Sequence, residues 1–242
     1  METNKTNKLS VATILAFLAI EAIFLVLILW GPSNYTNVFE FSSIVIVFLF
    51  SIIFFAKSKN NILTEVALLF TMIADLFLEI VNPMIQTFAM TSFLIVQLCY
   101  FVRLLFELKT KKWQLINLII RVAVVLIAEI ITIVVLKDKF DYLCCVSICY
   151  FSNLLMNIVL AFVEFKKSPL LAFGLLLFLG CDIFIGLQCA NGVYIDIPTT
   201  STIYKIVFAP FNIAWLCYLP SQTLIAMSIA NPHKKPFDFK LK

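Results

Sequence analysis

The chain has 242 residues, 62% of them hydrophobic and only 13% charged, with a net charge of +4. A mean hydropathy of +1.04 excludes an ordinary soluble domain, which runs near half apolar and about a quarter charged. It equally excludes disordered, collagen-like and disulfide-rich chains. The lysines are scattered between apolar runs, so the positive charge belongs to loops at a membrane face, and no nucleic-acid partner is expected.

A helix needs about 20 apolar residues to cross the hydrocarbon core. Eight stretches qualify in chain order: 9–30, 37–56, 62–81, 84–106, 115–136, 142–163, 169–188 and 202–230. The first follows Lys5 and Lys8, is too long for a signal-peptide core, and leads into "GPSNY" instead of a cleavage site, so it reads as an uncleaved span. No lipidation motif is legible. The connections are short and polar, and residues 1–242 read as a single all-α, polytopic integral membrane domain with 231–242 as a cytoplasmic tail. Lys5, Lys8, Lys57, Lys59, Lys109, Lys111, Lys112, Lys166, Lys167 and the tail lysines fall in one set of alternate connections. Only Lys137 and Lys139 fall in the other. By the positive-inside rule both termini are expected in the cytoplasm, which eight spans allow. Lysine-rich, arginine-poor usage suggests a bacterial plasma membrane.

A weak repeat runs through these spans. "LAIEAI" (18–23) is similar to "LIAEII" (126–131), "DLF" (75–77) to "DIF" (182–184), and "LCY" occurs at 98–100 and 216–218. Four spans separate each pair, so halves of about 1–108 and 109–230 would run parallel, as in some transporters. Short matches between apolar helices also arise by chance.

Charged side chains at membrane depth face the bundle interior or a cavity. Glu21, Asp75, Glu129 and Asp182 lie within spans, and Glu79 sits one turn beyond Asp75. Arg121 is the one cation on a neighbouring span that could answer them. With acids in excess, some are expected to be held neutral, and a neutral buried carboxylic acid is what general acid catalysis requires. The alternative is plain interhelical hydrogen bonding. Asp75 and Asp182 sit at matching depth, roughly 10 Å from the outer ends of their helices, and could meet between spans three and seven. Asn153 and Asn157, Tyr218 and Gln222, and Gln97 and Tyr100 form pairs that each share a helix face; the asparagines read as interhelical ties. Gly174, Gly180 and Gly186 do not keep one face and make no GxxxG motif. The cysteines (99, 144, 145, 149, 181, 189, 217) are odd in number and lack a CxxC pair, so they read as small core residues. The single histidine, His233, argues against a histidine metal site, and no metal or cofactor is expected.

The motifs "LLFTMIADLFLEI" (68–80), "FLIVQLCYF" (93–101), "LLLFLGCDIFIGL" (175–187) and "WLCYLPSQTLIAMSIA" (215–230), in that order, resemble the YhhN / lysoplasmalogenase family of eight-span membrane proteins. The resemblance implies a hydrolase that cleaves the vinyl-ether bond of a lysophospholipid, releasing a fatty aldehyde and a glycerophospho-alcohol, in contact with membrane lipids. It places the family aspartates on Asp75 and Asp182 as catalytic residues, the family tyrosine on Tyr100, and the span-eight pair on Tyr218 and Gln222. Ala74 stands where the family has glycine, Gln97 where it has histidine, and Cys181 where it has serine. Gln97, Tyr100, Tyr218, Gln222, Cys181, Glu79, Glu21 and Glu129 are the candidates for substrate binding. Gln97 can hydrogen-bond but cannot shuttle a proton as histidine does. A transporter or lipid-binding protein of the same fold, without hydrolase activity, is the alternative reading.

Overall fold

The computed structural model describes residues 11–54, 58–81, 86–108 and 110–229. Lys5, Lys8, the Asn82-Pro83 connection, His233 and the tail 231–242 lie outside the described residues. Apart from one bridge between Asn191 and Ile195, every regular element among the described residues is helical. The helices are α1 (Val11–Trp30), α2 (Thr36–Ile53), α3 (Lys59–Asp75), α4 (Gln86–Glu107), α5 (Lys111–Leu136), α6 (Tyr142–Val163), α7 (Pro169–Ala190), α8 (Thr202–Val207) and α9 (Ile213–Ile229).

Local chemistry sets their starts. The side chains of Ser58, Thr110, Asp141 and Ser201 each accept a hydrogen bond from a backbone N–H in the first turn of α3, α5, α6 and α8, satisfying donors that a helix leaves open. Pro169 begins α7, where its missing N–H costs nothing.

The chain is a multi-pass, all-α membrane protein. Among the described residues, six helical stretches are long and apolar enough to cross a bilayer: Val11–Trp30, Ser33–Ile53, Gln86–Glu107, Lys111–Lys139, Tyr142–Val163 and Pro169–Ala190. The other two expected spans take different forms. The stretch 62–81 is regular α-helix only to Asp75 and then widens into a π-helical segment, Leu76–Val81. The stretch 202–230 is broken: α8 stops before Pro210, which cannot continue a helix, and the 17-residue apolar α9 comes after the break. Pro220 lies inside α9, where it removes one rung of the backbone ladder.

The most extensive packing is of α7 on α9 and of α3 on α4, with α6 against α4. Two buried arginines organise the bundle. Arg103 of α4, 2% exposed, donates to Thr64 Oγ1 of α3 (2.5 Å), Ser228 Oγ of α9 (3.0 Å) and Ser168 Oγ at the start of α7 (3.4 Å), and lies 3.9 Å from the Glu107 carboxylate. Arg121 of α5 donates to Asn153 Oδ1 (2.8 Å) and Asn157 Oδ1 (2.9 Å) of α6, with its guanidinium 3.8 Å over the Phe101 ring. The two asparagines are thus interhelical ties, and Arg121 answers them and not Glu129. On α5 Arg121 is the buried residue; its aliphatic side chains are exposed, as suits a helix lying against lipid.

Small residues let α7 and α9 close. A Cβ on Gly174 would lie 2.7 Å from Ile225 Cγ1 and 3.1 Å from the Ser221 carbonyl oxygen, whereas a Cβ on Gly186 would meet nothing within 4 Å. Gly174→Ala is therefore expected to lower stability by about 1–3 kcal/mol through overpacking, with Gly186→Ala near neutral, in thermal unfolding of the detergent-solubilised protein.

Candidate active site

Asp75 closes the regular part of α3 and is 2% exposed. Its Oδ2 accepts a hydrogen bond from Tyr218 Oη of α9 at 2.7 Å. Asp182 of α7 receives the matching bond on Oδ2 from Tyr150 Oη of α6. Each aspartate is thus held by one tyrosine, and its Oδ1 is the oxygen left to act on something else.

Phe178, one turn before Asp182, joins the two pairs. Its ring lies 5.5 Å from Tyr218 and 6.4 Å from Tyr150, and Phe93 of α4 closes against both Tyr150 and Phe178 at 5.9 Å. Ring spacings of this size are those of favourable aromatic pairs. Cys181, itself buried, lies within electrostatic reach of both aspartates. Asp75 and Asp182 therefore belong to one aromatic-lined centre, bridged by tyrosines and not by direct contact with each other.

Toward the Val81 end of the Asp75 helix, taken as outward, the site becomes polar. The π-helical segment carries half-buried Glu79, which lines the same cavity as Glu40 of α2. Asn212 Nδ2 donates to Glu40 Oε1 at 3.2 Å, and Asn37 Nδ2 donates to the Glu79 backbone oxygen at 3.0 Å. These groups, with Gln188 and Trp215, line a cavity of about 350 Å³. Trp215 stands edge-on to Tyr218 at 5.0 Å, so one ring separates the cavity wall from the tyrosine that holds Asp75.

Inward of Asp75 lies a seam of unspent polar groups. Asn157 Nδ2 donates to both the backbone oxygen (2.8 Å) and Oε1 (2.9 Å) of Gln97. That fixes the Gln97 amide with Nε2 pointing away from its partner, and Nε2 finds no hydrogen bond. Tyr100 Oη, both amide atoms of Gln222, Ser221 Oγ and Thr71 Oγ1 are also buried without partners. Thr71 is one turn inward of Asp75 and Gln222 one turn inward of Tyr218. Buried polar atoms are nearly always bonded, so each unpaired one marks a point where water or a ligand completes the set.

Of the residues singled out from sequence, Asp75, Asp182, Cys181 and Tyr218 come together here, with Glu79 on the outer side and Gln97, Tyr100 and Gln222 on the inner side. Glu21 is buried on α1 with neither carboxyl oxygen hydrogen-bonded. Glu129 turns to the cysteines of α6. The participants that sequence reasoning missed include Glu40, Tyr150 and Asn212, and Arg103 in the support beneath the site. Tyr150 was findable, because it stands three residues before Asn153 and seven before Asn157, on one helix face.

The family model for YhhN matches residues 35–229, and the chain belongs to the YhhN family. The match takes in α2 through α9. No curated protein and no solved structure gave a match.

Tyr218 and Tyr100 differ in a way that stability measures. Tyr218→Phe strips Asp75 of its hydroxyl donor and is expected to cost about 1–3 kcal/mol. Tyr100→Phe removes a hydroxyl that no protein group bonds, so thermal unfolding should show a smaller loss than in Tyr218→Phe.

Proposed function

We propose that the protein is a lysoplasmalogenase-like membrane hydrolase, acting on a lysophospholipid with a vinyl-ether chain. The observation that carries this reading is the pair Asp75 and Asp182, each tied to a tyrosine at opposite sides of one aromatic centre, in a chain of the YhhN family.

The chemistry asks for little more. One carboxylic acid delivers a proton to the alkene carbon distal to the ether oxygen, which creates an oxocarbenium ion. The other carboxylate stabilises that cation and takes a proton from the water that attacks it. The resulting hemiacetal collapses to a fatty aldehyde and a glycerophospho-alcohol, so that one water is consumed and both carboxyls return to their starting states. Paired carboxyls divide acid and base roles in this way in glycosidases. The tyrosine bonds fix one oxygen of each aspartate and leave the other for substrate, which is the orientation such catalysis needs. The aromatic faces of Tyr150, Phe178 and Tyr218 favour a developing cation.

The polar outer cavity suits a phospholipid head group: the Glu40 and Glu79 carboxyls would face an ammonium, and the amides of Asn37, Asn212 and Gln188 a phosphate or glycerol hydroxyl. Gln97, with its amide turned by Asn157, would offer a donor to the attacking water where the family has histidine.

Aldehyde release from lysoplasmalogen by the purified protein tests the reading. Turnover by the parent and loss of at least about a hundredfold in Asp75→Asn and in Asp182→Asn, both still folded, is the expected result for acid–base residues. A folded parent that binds lysolipid without releasing aldehyde would replace the hydrolase with the lipid-binding alternative.

A further inference from the structure

Away from the aspartate site, α5 and α6 bring together a second group of reactive side chains. Glu129 of α5 receives a hydrogen bond on Oε1 from Cys149 Sγ at 3.1 Å. Its Oε2 is buried and has no partner. Cys145 lies one turn before Cys149 on the same face of α6, and the two sulfurs and a Glu129 oxygen lie within 4.8 Å of one another. The proposed mechanism uses none of the three residues.

We propose that Glu129, Cys145 and Cys149 bind a thiophilic divalent cation of the Zn²⁺ class, clipping α5 to α6. Three arguments converge. The donor set is two sulfurs and one carboxylate, which Zn²⁺ accepts in a tetrahedral shell with metal–sulfur distances of about 2.3 Å and metal–oxygen distances of about 2.0–2.2 Å; ligand atoms already within 4.8 Å need only a small closure to reach it. The spacing of four places both sulfurs on one helical face, so that a single rotamer adjustment each suffices. Glu129 is a carboxyl at membrane depth with one weak thiol donor and one bare oxygen, a poor arrangement on its own and a good one for a cation.

The proton balance is plain. The ion displaces one proton from each thiol, the two protons pass to water, and the two thiolates offset the metal's charge while the carboxylate completes the third bond. The fourth position is left for water or another ligand. The place of the site in the fold gives it a use. α5 meets the rest of the bundle mainly through α6, and Arg121 is its other polar anchor there. A metal between Glu129 and the cysteines would add a second anchor about two turns further along.

The experiment uses the full-length, metal-free protein in detergent, titrated with Cd²⁺ as the spectroscopic probe for the thiolate bond. One ion per chain, with the ultraviolet charge-transfer band of two thiolates and two protons released, is expected. The band should be lost in Cys145→Ser and Cys149→Ser and kept in Cys144→Ser, with binding weakened at least tenfold in Glu129→Ala. A second measurement needs no variant. Zn²⁺ should protect Cys145 and Cys149 of the parent from alkylation, read by peptide mass, while Cys99, Cys189 and Cys217 react as before. Equal alkylation of Cys145 and Cys149 with and without Zn²⁺, or a cadmium band that survives the serine substitutions, would overturn the proposal.

Discussion

A charge buried in hydrocarbon must find its partners inside the protein, and Arg103 is where that constraint bears hardest. Its guanidinium gathers hydroxyls from α3, α7 and α9 and the carboxylate of its own helix. With Arg103 only 2% exposed, these partners come from the protein itself, so one end of each of four helices is fixed relative to one point. The same four helices carry Asp75, Phe93, Phe178, Asp182 and Tyr218 toward their other ends. An error at the Arg103 knot would be transmitted along rigid rods to the aspartates.

The site is then a matter of what each rod presents. α3 and α7 bring the carboxyls, α6 and α9 the tyrosines that hold them, and the aromatic faces fill the space between. Polarity increases away from this centre in both directions. The outer side is richly bonded through Glu40, Glu79, Asn37 and Asn212. The inner side holds unpaired groups on Thr71, Gln97, Tyr100, Ser221 and Gln222. On the proposed function, a single-chain lipid with a polar head and a reactive bond a short distance below it would follow the first gradient, and a hydrolytic water the second.

Much of this was legible from the residues. Hydropathy marked out the helices, because in a membrane apolar length is nearly the whole signal. Asp75 and Asp182 stood out because a carboxylate in an apolar run has few innocent explanations, and the paired asparagines declared a shared face. What was not legible depended on neighbours in space. Glu40 sits near the start of its helix and reads as interfacial until Glu79 is seen beside it. Arg103 lies so near the end of α4 that a snorkelling side chain explains it equally well, yet it folds inward to three hydroxyls that no sequence spacing connects. Pro210 announces the break before α9, but nothing in "LFLEIV" declares a π-helical turn, whose register answers to packing and not to composition.

That turn has a consequence for how the chain can change. A π-helical segment is a helix holding one residue more than its α-helical rungs require. Deleting a single residue between Asp75 and Glu79 would let the segment relax to ordinary helix with the residues beyond it kept in place, whereas a second deletion would rotate them by about 100°. The carboxyl of Glu79 would then swing away from Glu40 and the backbone oxygen away from Asn37, while Asp75, on the near side of the deletions, would stay with Tyr218. The length of this short stretch therefore sets the angle between mouth and centre. A chain two residues shorter here would keep the aspartate and lose the acidic pair, so a change of length at this point, invisible to any count of matching residues, would reshape the entrance of the site.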